Sequence, residues 1–326
     1  MTPPEKPETE TGAALISVLV LVGVMAAIAV GMFDRLRLAT SITANAGARE
    51  QAQSLGLVAE TLVTTRIDDL VAASPGRTTL AGGWLGRTIT LPLPQATAQA
   101  RVRDGGNCFN LNSLVTGIPP NNLMSRPLAI EQFGKLMRAL EIPPAAARRI
   151  AASAADWIDS DELLNPDGAE DAVYAAAPLP YRTANTLMAE ASELRAVNGV
   201  TPAYYARLRP YVCALPETEL SAINVNTLAL EEAPLLAMLF DEAQGPQMAA
   251  RVLAERPPGG WSDVAAFWNT PTLRDRRPAS DVFRQPRVRT VWFRLDMAID
   301  TGREPMRQTG LIDVRQGKAR VVARRW

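Results

Sequence analysis

Between Asp156 and Asp171 the chain reads Asp156-Trp157-Ile158-Asp159-Ser160-Asp161-Glu162, then Asn165-Pro166-Asp167-Gly168-Ala169-Glu170-Asp171. Eight carboxylate or carboxamide side chains fall within sixteen residues, around a Pro-Asp-Gly turn. Carboxylates this close repel one another unless water or a cation screens them. A hard cation such as Ca2+ takes about six to eight oxygens from carboxylates, backbone carbonyls and water. Asp159 and Asp161 are spaced for one ion in a loop, because alternate positions can face inward. Gly168 lets the backbone turn back and bring Glu170 and Asp171 toward the same centre. The spacing is not that of an EF-hand, since no glycine stands at the sixth position from Asp159. Two other readings stay open: a solvated acidic loop, and a carboxylate pair for hydrolysis.

Composition narrows the chemistry. The 326 residues contain no histidine. That removes Ser-His-Asp and Cys-His catalysis, histidine-containing zinc sites and the usual neutral-pH general base. Lys plus Arg equals Asp plus Glu, 34 each, so no net basic charge argues for nucleic acid. Two cysteines, Cys108 and Cys213, are either unrelated buried thiols or, in an oxidising compartment, a disulfide. Such a bridge would close a loop of about 100 residues, worth about 4–5 kcal/mol in the chain-entropy model.

The elements that must position the acidic run follow from periodicity. Trp84 to Asp104 reads as strands, with alternation in Thr88-Ile89-Thr90-Leu91 and Ala100-Arg101-Val102-Arg103. Asp104-Gly105-Gly106-Asn107 is a turn signal. From Asn110 to about Pro278 the pattern is helical: Ala129–Leu140, Pro144–Ser160, Ala184–Ala196, Pro202–Leu208, Leu228–Leu239, Pro246–Glu255 and Trp261–Trp268. Strands return at Val288–Ile299, Gln308–Val314 and Lys318–Arg325. A sheet built from two sequence segments, with a helical domain inserted between them, explains this order economically.

Twenty-one uncharged residues, Ala13 to Phe33, precede all of this. A helix of that length spans about 30 Å, enough for a bilayer. No proline occurs from Ala13 through Ser74, and Asp34, Arg35 and Arg37 mark the exit from the apolar part. An amphipathic continuation follows, with Leu36, Ile42, Leu55, Val58, Leu62, Ile67 and Leu70, until Ser74-Pro75-Gly76 stops it. One helix of roughly 60 residues is the simplest reading. An ordinary signal anchor, a cleaved secretory signal and a pilin-type segment cut before the apolar run compete for it. The glycine at Gly12 and the small residue Ala13 suit the third.

Asn110-Leu111-Asn112-Ser113-Leu114 resembles Asn224-Val225-Asn226-Thr227-Leu228, a weak internal repeat. The asparagines can hold turns, and Ser113 or Thr227 can cap a following helix. The second copy, with Ala249–Arg256 and Gly260-Trp261-Ser262, also resembles a helix-hairpin-helix unit. Its turn, Asp241-Glu242-Ala243-Gln244-Gly245-Pro246, carries two acids and no Gly-x-Gly pair, which disfavours phosphate binding.

Taken in order, Gly12-Ala13 before an apolar helix, Asn110-Leu111-Asn112, Asp156 to Asp161, Gly168-Ala169-Glu170-Asp171 with Tyr174, and Ile223-Asn224-Val225-Asn226-Thr227 resemble the K-type minor pseudopilins of type II secretion, the general secretion pathway protein K family. The resemblance covers nearly the whole chain. It implies an α+β fold: a long N-terminal helix whose first half spans the membrane, a pilin-like antiparallel sheet, and a large inserted α-helical domain. It implies removal of the leader between Gly12 and Ala13 by the prepilin peptidase, with methylation of the new amine. It implies structural Ca2+ in the acidic loop, with Asp159, Asp161, Glu170 and Asp171 as ligands and Asp167 beside them. The implied partners are the I- and J-type minor pseudopilins, the inner-membrane secretion platform and inner-membrane lipid, and no nucleic acid. The implied role is non-enzymatic: a single-pass inner-membrane protein, mostly periplasmic, that starts assembly at the fibre tip and limits fibre length.

The fifth residue after the cut is Ser17, where most pilins carry a glutamate that neutralises a neighbour's amine in the apolar fibre core. A tip subunit has no neighbour above it and no amine to receive. Two departures from the pattern stand out: the leader is acidic, and Arg35 and Arg37 lie on the presumed periplasmic side. The expected divisions are 1–12 leader, 13–33 membrane part of the helix, 34–75 periplasmic part, 76–109 first part of the pilin-like domain, 110–285 inserted domain and 286–326 C-terminal strands. The alternatives are a membrane-anchored helix-hairpin-helix DNA-binding protein and a carboxylate-dependent hydrolase.

Overall fold

The computed structural model describes residues 10–120, 122–240, 245–302 and 304–326. Most of the leader, the acidic hairpin residues Asp241 to Gln244, and Arg303 lie outside the described residues. Helix α1 (Glu10–Ala73) runs unbroken for 64 residues, about 95 Å at 1.5 Å per residue. With no proline inside it, nothing interrupts its hydrogen-bond ladder until Ser74-Pro75. Its two halves differ. From Ala13 to Phe33 every side chain is exposed, including Leu15, Leu19, Val22, Ile28 and Phe33. Among the described residues it is the one helix long and apolar enough to cross a membrane. Farther on, Ala52, Ala59, Val63 and Ile67 are buried.

Those four residues pack on a sheet. Strands β1 (Thr88–Leu93) and β2 (Ala96–Asp104) form a hairpin, and β1 turns Ile89, Leu91 and Leu93 toward the helix while Thr88 and Thr90 face outward. After β2 the chain leaves the sheet for almost 190 residues, then returns. The departing part opens with β3 (Phe109–Asn110), the hairpin β4 (Val115–Ile118) and β5 (Asn122–Ser125), and helices α2 (Pro127–Ala139) and α3 (Pro144–Asp156). Proline at the first turn of each helix removes only an N–H that would be unpaired there. Helices α4 (Asp171–Ala175) and α5 (Pro202–Leu208), strands β6 (Val212–Cys213) and β7 (Ile223–Asn224), helices α6 (Ala233–Ala237), α7 (Gly245–Ala254), α8 (Val264–Trp268) and α9 (Ser280–Phe283), and strand β8 (Pro286–Arg287) follow. The chain then completes the sheet with β9 (Trp292–Asp300), β10 (Met306–Asp313) and β11 (Arg320–Arg325).

The resulting order is β1-β2-β9-β10-β11, antiparallel throughout. β2 and β9 are neighbours despite the long excursion, with Ala98 opposite Ile299 and Ala100 opposite Met297. Alternation puts Leu295, Met297, Ile299 and Ile312 on the face that covers α1, forming one core. The excursion has its own core around Phe109, Phe133, Ile150, Leu236 and Phe267. The fold is therefore α+β, with a helical unit inserted between two adjacent strands.

Both copies of the weak repeat fold alike. β3 pairs parallel with β6, and β7 pairs parallel with β8. In each, the first asparagine's Oδ1 accepts from the N–H two residues on: Asn110 from Asn112 at 3.2 Å, Asn224 from Asn226 at 3.0 Å. The second asparagine clasps a distant main chain with both ends of its amide. Asn112 holds Met188 and Asn226 holds Trp261. The capping role expected of Ser113 and Thr227 does not appear. The Ser113 hydroxyl is buried without a partner, and Thr227 donates to Asp104 Oδ2 at 2.7 Å instead.

One expected helix is absent. Ala184–Ala196 gives only a short 3-10 turn, Ala191–Ala196, opened by a capping box between Glu190 and Glu193. Alanine-rich composition favours helix, but Asn185 sits at φ +47 and Met188 is committed to Asn112. The expected helix over Leu228–Leu239 is likewise shortened, to a 3-10 turn plus α6.

Candidate functional site

The acidic run begins at the C-terminus of α3, whose Ala-rich inner face is buried through Asp156. The β4–β5 hairpin holds what comes next. Ser160 donates its N–H to Leu123 O at 2.9 Å, and its hydroxyl accepts from Leu123 N at 3.0 Å. Asp167 takes the left-handed conformation, φ +68, to turn the chain back. Gly168 then passes so close to α3 that a Cβ there would lie 1.9 Å from Asp156 Oδ2. Ala169 N–H donates to that same oxygen at 2.7 Å, and α4 starts at Asp171.

The acids are not equivalent. Asp156 is closed to solvent and fully partnered: Oδ1 accepts from Asn165 Nδ2 and N, and Oδ2 from Ala169 N. Asp159 is buried with one oxygen bonded to the Ser125 hydroxyl at 2.7 Å and the other, Oδ1, without a partner. Glu170 is buried, and among the described residues neither of its carboxylate oxygens has a partner. Asp161 is exposed and accepts from Leu163 N at 2.8 Å. Asp167 is exposed and pairs with Arg148 at 3.4 Å. Asp171 accepts from the Thr183 hydroxyl and N–H and pairs with Arg182.

Their protonation follows from these surroundings. Burial, then the nearby charges of Asp156, Asp159, Asp161 and Asp171, pushes Glu170 up to about 8. Burial, together with Asp161 and Asp156 and against the Ser125 bond, pushes Asp159 up to about 6. Burial also raises Asp156, against its bonds to Asn165 and Ala169. The bonds from Thr183 hold Asp171 below the usual carboxylate range.

The chemistry of this set fits a hard cation. Three buried carboxylate oxygens without donors are what a bound cation would satisfy, and their raised proton affinity shows how unfavourable the bare charges are. They do not form a finished cage. No group of three or more acidic, histidine or cysteine side chains is gathered at metal-binding geometry among the described residues. The structure brings Asp159 and Glu170 into the loop interior. It leaves Asp161 at the surface and directs Asp167 and Asp171 to Arg148 and to Thr183 and Arg182.

The N-terminal positions lie inside α1. Gly12 and Ala13 belong to continuous helix, with open space where a Gly12 side chain would stand. The Ser17 hydroxyl donates to Ala13 O at 2.9 Å, so its own helix satisfies it. Cys108 and Cys213 form a disulfide across 105 residues, at the ends of β3 and β6.

Outside the acidic loop, sequence reasoning missed two features. Asp104, read as the end of a strand and the start of a turn, accepts from Thr227, Thr290 and Gly106 N, and so ties the sheet to the inserted unit. Glu60 lies on α1 under the sheet and is held by Gln308 and a two-pronged bond from Arg324. An acidic residue in the otherwise apolar stripe of α1 was the available signal for the second.

Comparison with known proteins agrees with this architecture. The family described as Type II secretion system (T2SS), protein K matches residues 107–217 and 223–285, so the division falls between the two copies of the Asn-x-Asn repeat. The type II secretion system protein K of Pectobacterium carotovorum is 34% identical over 97% of this chain and 96% of its own. That of Aeromonas hydrophila is 38% identical over 82% and 80%. A chain in the crystal structure of the GspK-GspI-GspJ complex from enterotoxigenic Escherichia coli superposes with a TM-score of 0.75 at 30% identity, covering 87% of this chain and 98% of that one. An exposed apolar helix continuing into a packed one, a sheet split by a helical unit, and relatives alike over most of their length place this chain in the type II secretion system protein K family, the minor pseudopilins of that machine, which are structural proteins and not enzymes.

Proposed function

We propose that this minor pseudopilin is inserted in the inner membrane through Ala13 to Phe33, is cut between Gly12 and Ala13, and stands at the pseudopilus tip with I- and J-type partners. The observation that carries this reading is the division of α1. Its first half is apolar and bare on all sides, as lipid or a fibre core requires, while its second half is locked under the sheet. A related chain was crystallised in a GspK-GspI-GspJ complex, which supports the choice of partners. Ser17 supports the tip position, because its hydroxyl is satisfied within α1 and offers no charge to a neighbouring amine. At the tip the subunit starts assembly and limits fibre length.

The same proposal gives the acidic loop a structural Ca2+. Asp159 and Glu170 would hold it, with Asp161 and Asp171 beside them and Asp167 at the turn. When bound, the ion supplies positive charge and coordination to buried oxygens that lack donors. Mass spectrometry of the mature N-terminus tests the first part: a chain starting at Ala13 is expected, and one starting at Met1 or beyond Phe33 would overturn it. Thermal melts test the second, since calcium binding the native state alone must raise Tm with its concentration.

A further inference from the structure

The carboxylates are not the whole set of open acceptors in this loop. The side-chain oxygen of Asn185 is also buried and unpartnered. Its backbone is left-handed, φ +47, a conformation that asparagine tolerates better than most residues. Hydrogen bonds place it beside the acidic run. Asn185 N–H donates to Trp157 O at 3.1 Å, two residues before Asp159. Thr183, two residues earlier, grips Asp171 through its hydroxyl and its N–H. Ala169, next to Glu170, is bonded to Asp156. Residues 156–159, 169–171 and 183–185 are thus stitched together, and four buried oxygens in them have no donor: Asp159 Oδ1, both oxygens of Glu170, and Asn185 Oδ1.

One orphaned acceptor is tolerable; several in one knot are not what a finished interior shows. All four are oxygens, the donor type a hard divalent cation takes. The charges also balance. Asp159 and Glu170 supply two negative charges to match a dication, while a neutral amide oxygen adds coordination without adding repulsion. Asp167 and Asp171 already have arginine partners.

We infer that Asn185 is a further ligand of the acidic-loop cation, contributing its side-chain carbonyl oxygen alongside Asp159 and Glu170. This rests on the calcium reading proposed above. The bland alternative is that asparagine is present only because the backbone needs a residue that accepts positive φ. Two substitutions separate the roles. Asn185→Gly keeps the left-handed backbone accessible and removes the oxygen. Asn185→Asp keeps an oxygen in place.

Calcium affinity is measured by titration on the detergent-solubilised full chain, with metal-free Tm read in parallel. Asn185→Gly is expected to raise the calcium Kd roughly ten- to hundredfold, the range seen when a supporting group of a metal site is lost. Asn185→Asp is expected to stay within about tenfold of wild type. Wild-type affinity in Asn185→Gly would overturn the assignment of Asn185 and leave the calcium reading standing. A wild-type chain that binds no calcium would overturn both.

Discussion

Asp156 and Glu170 lie fourteen positions apart, in one loop, and both are closed to solvent. Asp156 is met by three donors from Asn165 and Ala169, whereas Glu170 is met by none. Burial raises the proton affinity of both, but only for Glu170 do four neighbouring carboxylates add to it with no hydrogen bond opposing. The difference separates two uses of a buried acid. Asp156 organises the chain: its bonds pull Asn165 and Ala169 toward the end of α3. Glu170 has no such partners among the described residues, and the proposed cation would provide them.

The largest expected effect is on the organising acid. Asp156→Ala strips three donors of a charged acceptor, and should destabilise the protein by about 3 kcal/mol, with or without calcium. Chemical denaturation of the inserted unit measures this. A loss confined to calcium-containing buffer would mean that Asp156 is itself a ligand, and the contrast with Glu170 would collapse. Gly168→Ala should follow at about 1–3 kcal/mol. Its new Cβ would press on Asp156 Oδ2 and lie 2.9 Å from Asn165 O, so the turn must open. Wild-type stability for this variant would show that the loop is looser than its hydrogen bonds imply.

Glu170→Gln is expected to do the reverse. In metal-free protein at neutral pH, below its native value of about 8, Glu170 must take up a proton on folding; a neutral side chain there removes that cost and should stabilise the protein by about 1 kcal/mol, or a few degrees in Tm. The same change should remove most of the rise in Tm on adding calcium near pH 8. A destabilised metal-free variant would place Glu170 with Asp156 as an organising acid.

The sequence allowed part of this to be read. The density of acids between Asp156 and Asp171 was visible; a glycine at Gly168 was read as the turn, but Asp167 makes the turn and the glycine is needed for its close approach to Asp156. Which acids face inward was not, because that depends on partners remote in sequence: Ser125 for Asp159, Arg148 for Asp167, Thr183 for Asp171. The same limit hid Asn185. Its neighbours Ala184 and Ala189–Ala191 argue for helix, and the left-handed backbone of Asn185 and the remote claim of Asn112 on Met188 oppose one. The elements governed by local signals came through best. Helix α1 stops just before Ser74-Pro75, α5 spans the expected Pro202–Leu208, and the strands flank a helical block as read. The joint at Asp104 was not legible, since Thr227 and Thr290 reach it from more than 120 residues away.

The smallest expected effect is the most diagnostic, because calcium should change its sign. Glu170 moves from about 4.5 in an unfolded chain to about 8 in the native one, and Asp159 from 3.8 to about 6. The metal-free native state therefore binds these protons more tightly than the unfolded state does. Their contribution to stability is full below about pH 4, begins to fade above it, and is lost as pH rises through 6 for Asp159 and through 8 for Glu170. A bound dication reverses the preference, since it holds both carboxylates ionised and pulls their native proton affinity below the unfolded value. Stability from the site is then present above about pH 4.5 and is lost as acid displaces the metal. Melting temperatures between pH 5 and 8.5, in chelator and in saturating calcium, should diverge as pH rises. Glu170→Gln should remove most of the divergence near pH 8, while Asp159→Asn should act mainly near pH 6. Parallel curves in chelator and calcium would mean that Glu170 is no more available to a cation than Asp156.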